Sequence, residues 1–218
     1  MIFLGHLRLQ PDIASDQPAG DGKNIKMRRP YNKDRIMLLY HTSDQEIREP
    51  DIRFGRKNAD FGQGFYLTDD EAFACRWAKP RDGRLPVLNI YELDTEGIKV
   101  HTFARDAAWF AYIYDNRRLK PDRYPEADII IGPIANDTLY DTLGIMTSGY
   151  LGAEEAMQLL MIGPAYRQIV LKTERAAGKL HFLSARELLP EETEKYAGIV
   201  ADEEKAYQLQ LAGKMEEL

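Results

Sequence analysis

Apolar and polar positions along this chain fall into short, irregular blocks rather than one sustained period. Residues 36–41, Ile-Met-Leu-Leu-Tyr-His, form a compact apolar run that predicts a buried strand. A polar stretch carrying Pro50, Gly55 and Gly62 follows, and then a brief strand from Phe65 to Leu67. Thr68-Asp69-Asp70-Glu71 sets acidic groups at the positive end of a helix dipole. A helix is therefore predicted from there to about Ala78, stopping before Pro80. Pro86 to Leu93 alternates and predicts a strand, and Ile98 to Phe103 adds another. Asp106 to Arg117 predicts a helix, because Trp109, Phe110, Ile113 and Tyr114 recur at helical spacing.

The second half continues in the same manner. Asp128 to Gly132 reads as a short buried strand closed by Gly132-Pro133, and Glu154 to Met161 as an apolar helix ended by Gly163-Pro164. Gln168 to Lys172 and Lys179 to Leu183 predict two more strands. Beyond Pro190, Glu191 to Tyr196 and Glu203 to Leu218 are charged and helix-prone. Short strands mixed irregularly with helices argue for an α+β fold with a largely antiparallel sheet. No G-x-G-x-x-G follows a strand, so a Rossmann dinucleotide fold has no support.

Three regions follow from these patterns: residues 1–35 as a loosely ordered arm rich in Pro and Gly, 36–190 as the folded domain, and 191–218 as a charged helical tail. The arm holds Lys23, Lys26, Arg28, Arg29, Lys33 and Arg35, which read as a solvated basic patch. The whole chain carries a formal net charge of −6, so no global field favours nucleic acid. A single cysteine, Cys75, excludes an intrachain disulfide and reads as a small buried hydrophobe. His6, His101 and His181 are scattered and give no metal-ligand spacing. No apolar run approaches the ~20 residues of a membrane span. The opening apolar residues lack the basic start of a signal peptide. The expectation is a cytoplasmic protein without a membrane partner, with export by a route needing no cleaved signal left open. Met157, Leu159, Leu160 and Met161 are expected in the core.

Candidate chemistry gathers around Gly62-Gln63-Gly64-Phe65-Tyr66. Glycines before a strand serve any tight turn, or let the backbone approach a ligand. Tyr66 and Trp77 flank a predicted strand and helix. They serve either as core or as two faces of a slot for a flat heteroaromatic ring. His41 ends the first strand and is followed by Thr42 and Ser43, so it can donate to a sugar hydroxyl while a neighbouring hydroxyl holds an amide. Arg56, Lys57 and Asn58 can bind a diphosphate through charge-assisted bonds. Asn136 reads as a turn residue, whereas Asp137 is either in that turn or on a cleft rim.

Together, Tyr-His-Thr-Ser at 40–43, Gly-Gln-Gly-Phe-Tyr-Leu-Thr at 62–68 and an aromatic after the next helix resemble the poly-ADP-ribose polymerase and diphtheria-toxin branch of the ADP-ribosyltransferases. The resemblance extends over roughly residues 36 to 185. It is strongest to a bacterial subgroup with toxin-like or effector-like members, sharing residues 55–62, 128–137 and 168–173 with it. It implies two mostly antiparallel sheets around an NAD cleft, flanked by helices. NAD is then a substrate rather than a hydride carrier, and no metal is needed. His41 would contact the ribose, Tyr66 would stack on nicotinamide, and Trp77 would close the sandwich where a tyrosine is usual. Thr42, Ser43, Arg56, Asn58 and Gly64 would complete the NAD-binding set.

The family's late-strand glutamate is replaced here by Gln168, which keeps a hydrogen bond but has no charge and cannot act as a base. Either the acceptor needs little activation, or Asp137, Glu154 or Glu155 assists, or catalysis is weak; the implied activity is transfer of a single ADP-ribose rather than polymer growth. The alternatives are an NAD glycohydrolase or a weakly active NAD- or ADP-ribose-binding module. The acceptor favoured is a protein, and a toxin-like role implies a cognate antitoxin or immunity partner.

Overall fold

In the computed structural model, residues 35–136 and 152–217 are described. The expected roles of Lys23, Lys26, Arg28, Arg29, Lys33 and Asp137 lie outside those residues. Arg35 is described, and it pairs with Asp94 at 3.5 Å and with Glu96 instead of standing free.

Seven strands and five helices are formed by the described residues: β1 Ile36–Ser43, β2 Phe65–Leu67, α1 Glu71–Cys75, β3 Val87–Asp94, β4 Val100–Thr102, α2 Ala107–Arg117, β5 Ile129–Pro133, α3 Ala153–Leu160, β6 Arg167–Leu171, α4 Glu174–Ala177, β7 Leu180–Glu187 and α5 Pro190–Glu217. Local chemistry accounts for the helix starts. The Asp70 side chain accepts from Phe73 N at 3.0 Å, and Asp106 accepts from Trp109 N at 3.0 Å, each satisfying a backbone donor worth ~1 kcal/mol as a cap.

The strands make two sheets, a three-stranded one in the order β1-β3-β7 and a four-stranded one in the order β2-β6-β5-β4. All pairings are antiparallel except β4 with β5. The fold is thus α+β, as the irregular mixing of strands and helices predicted. The two sheets pack face to face over Leu39, Tyr91 and Leu93 from one, and Phe65, Ile129, Ile169 and Leu171 from the other. The opposite face of the four-stranded sheet is covered by α2 and α3 through Trp109, Tyr112, Ile113, Ala156 and Leu160. Alternation along β6 explains both layers: Ile169 and Leu171 point into the sandwich, while Val170 points toward the helices.

Several expectations need correction. Helix α1 ends at Cys75 rather than near Ala78, and i→i+3 bonds from Arg76, Trp77 and Ala78 close it as a tightened final turn. Strand β7 runs to Glu187, beyond the expected Leu183. Its register against β3 shifts between Ile90 and Tyr91, which leaves Leu183 unpaired as a bulge and turns it outward. Met161 caps the C-terminus of α3 and is exposed, not core. The tail is one continuous 28-residue helix instead of two pieces, with Tyr207 buried on its inner side.

Candidate functional site

The two sheets are stitched together where β1 meets the end of β2. Tyr40 N donates to Thr68 O at 2.8 Å, and Thr68 N donates back to Tyr40 O at 3.1 Å. A cavity of about 380 Å³ opens at this junction. His41 and Thr42 from β1, Tyr66 from β2, Trp77 after α1, and Gln168 from β6 all line it, as does Arg56 from the intervening loop. Six of the nine site residues expected from sequence therefore meet on one cavity, although four separate segments supply the five that flank the sheets.

Tyr66 is held by the loop before it. Its hydroxyl donates to Gly62 O at 2.7 Å and accepts from Phe61 N at 3.0 Å. Burial, with the Asp60 charge adding to it, pushes this phenol far above its ordinary range, so it stays protonated. The loop is pinned in turn. Asn116 donates to Asp60 O at 3.1 Å, and the Lys172 ammonium donates to Phe61 O. Lys172 also pairs with Asp122 at 3.2 Å; burial lowers its pKa, and Asp122 opposes that fall. Tyr66 opposes Val170 across the β2–β6 pairing. Alternation then puts Tyr66, Gln168 and Lys172 on one face of the sheet.

His41 lies behind Tyr66. Its Nδ1 is 2.7 Å from Tyr66 O, and a carbonyl only accepts, so Nδ1 carries the hydrogen. Burial lowers the imidazole pKa, and the Tyr66 carbonyl bond offsets only part of that. The ring is neutral at pH 7, with Nε2 left as an acceptor. With Nδ1 committed to Tyr66 O, His41 can offer a ligand an acceptor rather than the donor that the sequence suggested. Thr42 donates to Ala74 O at 2.7 Å and so ties β1 to α1. Ser43 is outside the cavity lining, where its hydroxyl donates to Gln45 O at 2.6 Å and closes the turn after β1.

Trp77 stands at the mouth with 40% of its surface exposed. It meets Phe73 edge to face, with centroids 6.1 Å apart. Phe73 is buried and also lines the cavity, a position that the sequence reading missed. Its i, i+4 spacing from Trp77 was the available signal.

Gln168 is 5% exposed, and its Nε2 donates to Pro133 O in a long bond of 3.4 Å. Among the described residues the carboxylate lining this cavity is Asp60, and neither Glu154 nor Glu155 reaches it. Asp60 takes Arg117 Nε and Nη2 on Oδ1 at 2.9 and 2.8 Å, and Ala135 N on Oδ2 at 3.2 Å. It thereby fastens the glycine loop to α2 and to the exit of β5. Glu154 is exposed, and Glu155 accepts from Gly152 N at 2.7 Å at the start of α3. Neither lines the cavity.

Arg56 reaches the cavity, and among the described residues it has no ion-pair partner. Lys57 lines a separate shallow depression with Lys120 and Lys172, and Asn58 is exposed outside both. Gly64 does not face the cavity either. A Cβ there would sit 2.6 Å from both Leu171 O and Val170 Cγ1, so this glycine admits β6 rather than a ligand. Asn136 is fully buried and donates to Ile162 O at 2.7 Å and Pro164 O at 3.0 Å, pinning the loop after α3 instead of sitting in a surface turn.

A family described as "Protein of unknown function (DUF3990)" matches residues 37–182, about two thirds of the chain. The chain belongs to the DUF3990 family. The DUF3990 segment begins within β1 and ends within β7, so it contains every residue lining the cavity and leaves α5 outside. Comparison with curated proteins and with solved structures finds no match. Among the described residues, no group of three or more His, Cys, Asp or Glu gathers as a metal site, and no helix is long and apolar enough to cross a membrane.

Proposed function

We propose that this DUF3990 protein is a mono-ADP-ribosyltransferase that cleaves NAD at the nicotinamide–ribose bond. The observation that carries this reading is the meeting of His41, Tyr66, Trp77 and Gln168 on one cavity at the junction of two sheets. These are the positions at which the sequence resembles the histidine–tyrosine–glutamate transferases. In this reading the two sheets form the ADP-ribosyltransferase fold.

Nicotinamide stacks on Tyr66, whose ring is fixed by its two hydroxyl bonds, and Trp77 closes over it. His41 Nε2 accepts from a ribose hydroxyl, and Arg56 supplies charge for the diphosphate. The C1′–N1 bond breaks with its electron pair leaving on nicotinamide, and positive charge grows on the ribose. An acceptor nucleophile then bonds to C1′ and gives up its proton. Gln168 orients the ribose without supplying charge, so the acceptor must be a good nucleophile or receive its activation elsewhere. A protein side chain is the favoured acceptor, and a cognate antitoxin or immunity protein the favoured partner.

A second reading, a module that binds NAD or ADP-ribose without turnover, is favoured by that same uncharged Gln168. Incubation of the purified protein with NAD separates them: released nicotinamide with labelled protein supports transfer, and binding without release supports the module. Free ADP-ribose without labelled protein indicates hydrolysis. Tyr66→Ala is expected to weaken NAD binding by about 5- to 150-fold, the ~1–3 kcal/mol of a base–aromatic stack. Unchanged affinity in a folded Tyr66→Ala protein, measured by calorimetry, sinks both readings.

A further inference from the structure

The cavity's aromatic wall is braced from outside the DUF3990 segment. Phe73, which lines the cavity, lies on Tyr166 with ring centroids 4.3 Å apart and planes 11° apart. Tyr166 precedes β6 and is not itself a lining residue. Its hydroxyl donates to Glu203 Oε1 at 2.8 Å, and the Arg76 guanidinium lies over its ring at 4.6 Å. Arg76 Nη2 pairs with the same Glu203 oxygen at 3.1 Å.

Glu203 comes from the middle of α5, which is fixed on both sides of it. Tyr196 packs against the cluster around Cys75 and Leu88, and Tyr207 is buried beside Gly163. A line of contact thus runs from α5 through Glu203 and Tyr166 to Phe73, and from Phe73 to Trp77 at the mouth. The Arg76–Glu203 pair is a poor stabilising device. Arg76 Nε and Nη1 and Glu203 Oε2 are buried without a partner among the described residues, and half-satisfied buried pairs cost as much as they return. What such a pair supplies is direction, because a guanidinium plane and a carboxylate fix the ring between them.

We propose that Glu203, Arg76 and Tyr166 are positioning residues that set the stance of the Phe73–Trp77 wall, so that the C-terminal helix tunes the affinity of the cavity for NAD. The proposal rests on the reading above for the identity of the ligand but not for the brace itself.

Two measurements on full-length protein test it. Trp109 is fully buried and Trp77 is 40% exposed, so acrylamide quenching of tryptophan fluorescence reports chiefly on Trp77. In Glu203→Ala, quenching is expected to rise by about twofold as the wall loosens. Its NAD affinity, by calorimetry, is expected to fall about fivefold or more. Glu203→Gln, which still accepts from the Tyr166 hydroxyl, should fall between Glu203→Ala and wild type in both measurements. Wild-type quenching in a folded Glu203→Ala protein overturns the brace, and raised quenching with unchanged NAD affinity overturns the tuning. Should Glu203→Ala fail to fold, Tyr166→Phe removes one oxygen and is expected to raise quenching likewise; wild-type quenching there counts against the brace. A wild-type protein that binds no NAD defeats the functional reading alone, since quenching needs no ligand.

Discussion

In the proposed reading, Gln168 is the residue on which the chemistry turns. Its position is strongly determined: it is buried on β6, opposite Gly132 on β5, on the same sheet face as Tyr66. Only its charge departs from what cleavage of a glycosidic bond favours. A carboxylate there would stabilise the developing ribose cation, whereas an amide offers a hydrogen bond alone. Gln168→Glu is therefore expected to raise nicotinamide release by about tenfold or more. The gain should grow as pH rises, because burial and the Pro133 carbonyl both disfavour ionisation of the introduced carboxyl. Chromatographic measurement of nicotinamide checks this, and a loss of activity in a well-folded variant would count against Gln168 facing the ribose. His41 adds the complementary constraint. Its Nδ1 hydrogen is committed to Tyr66 O, so under that reading a ligand meets an acceptor, which suits a hydroxyl and not a carbonyl.

At the scale of elements, Gly62 and Gly64 look alike in the sequence but serve different needs. Gly62 sits at φ +73°, and its carbonyl holds the Tyr66 hydroxyl. Gly64 is required by the close approach of β2 to β6. Gly64→Ala is expected to destabilise the protein by ~1–3 kcal/mol, as overpacking does, with the added strain of meeting backbone atoms. Gly198→Ala is the contrast: nothing lies within 4 Å of the added carbon in α5, and the change should stabilise by ~0.5–1 kcal/mol. Urea unfolding of both variants checks the pair, and a neutral Gly64→Ala would refute the packing argument. Much of this architecture was legible in local pattern. The apolar run at 36–41 marked β1, the apolar block at 168–172 marked β6, and Asp70 and Asp106 marked two helix starts. What stayed hidden depends on partners distant along the chain. Nothing near Asp60 announces Arg117, nothing near Tyr166 announces Glu203, and the bulge at Leu183 arises from register with β3. Ser43, Asn58 and Gly64 carry chemistry that suits a ligand, yet Ser43 closes the turn after β1, Asn58 is exposed, and Gly64 meets β6.

The two sheets are joined at the β1–β2 junction, and His41 there links the stability of the fold to pH. Burial holds the imidazole below its ordinary value of 6.5. Between that value and the lower folded one, the unfolded chain binds a proton that the folded protein refuses. Stability is therefore full above the ordinary value and falls as pH drops below it, by up to ~1.4 kcal/mol per pH unit for one proton. The carboxylates act in a second, lower window. Burial pushes the Asp128 carboxyl up, but Arg175 at 2.5 Å, Lys99 N and Thr173 together bring it below the usual range. Asp115 is lowered first by Lys120, with Arg123 adding to it, and the stability from both acids is lost only as pH falls below about 4. Thermal melts of the wild type should thus show two acid steps, one that begins as pH falls below the ordinary histidine value of 6.5 and another below about pH 4. His41→Gln should flatten the first step and leave the second. In the proposed reading NAD affinity should fall only at the lower end of the first step, once the folded imidazole itself takes the proton and loses the Nε2 lone pair. An unchanged slope just below pH 6.5 in His41→Gln would place the titrating group elsewhere and separate the junction from the acid response.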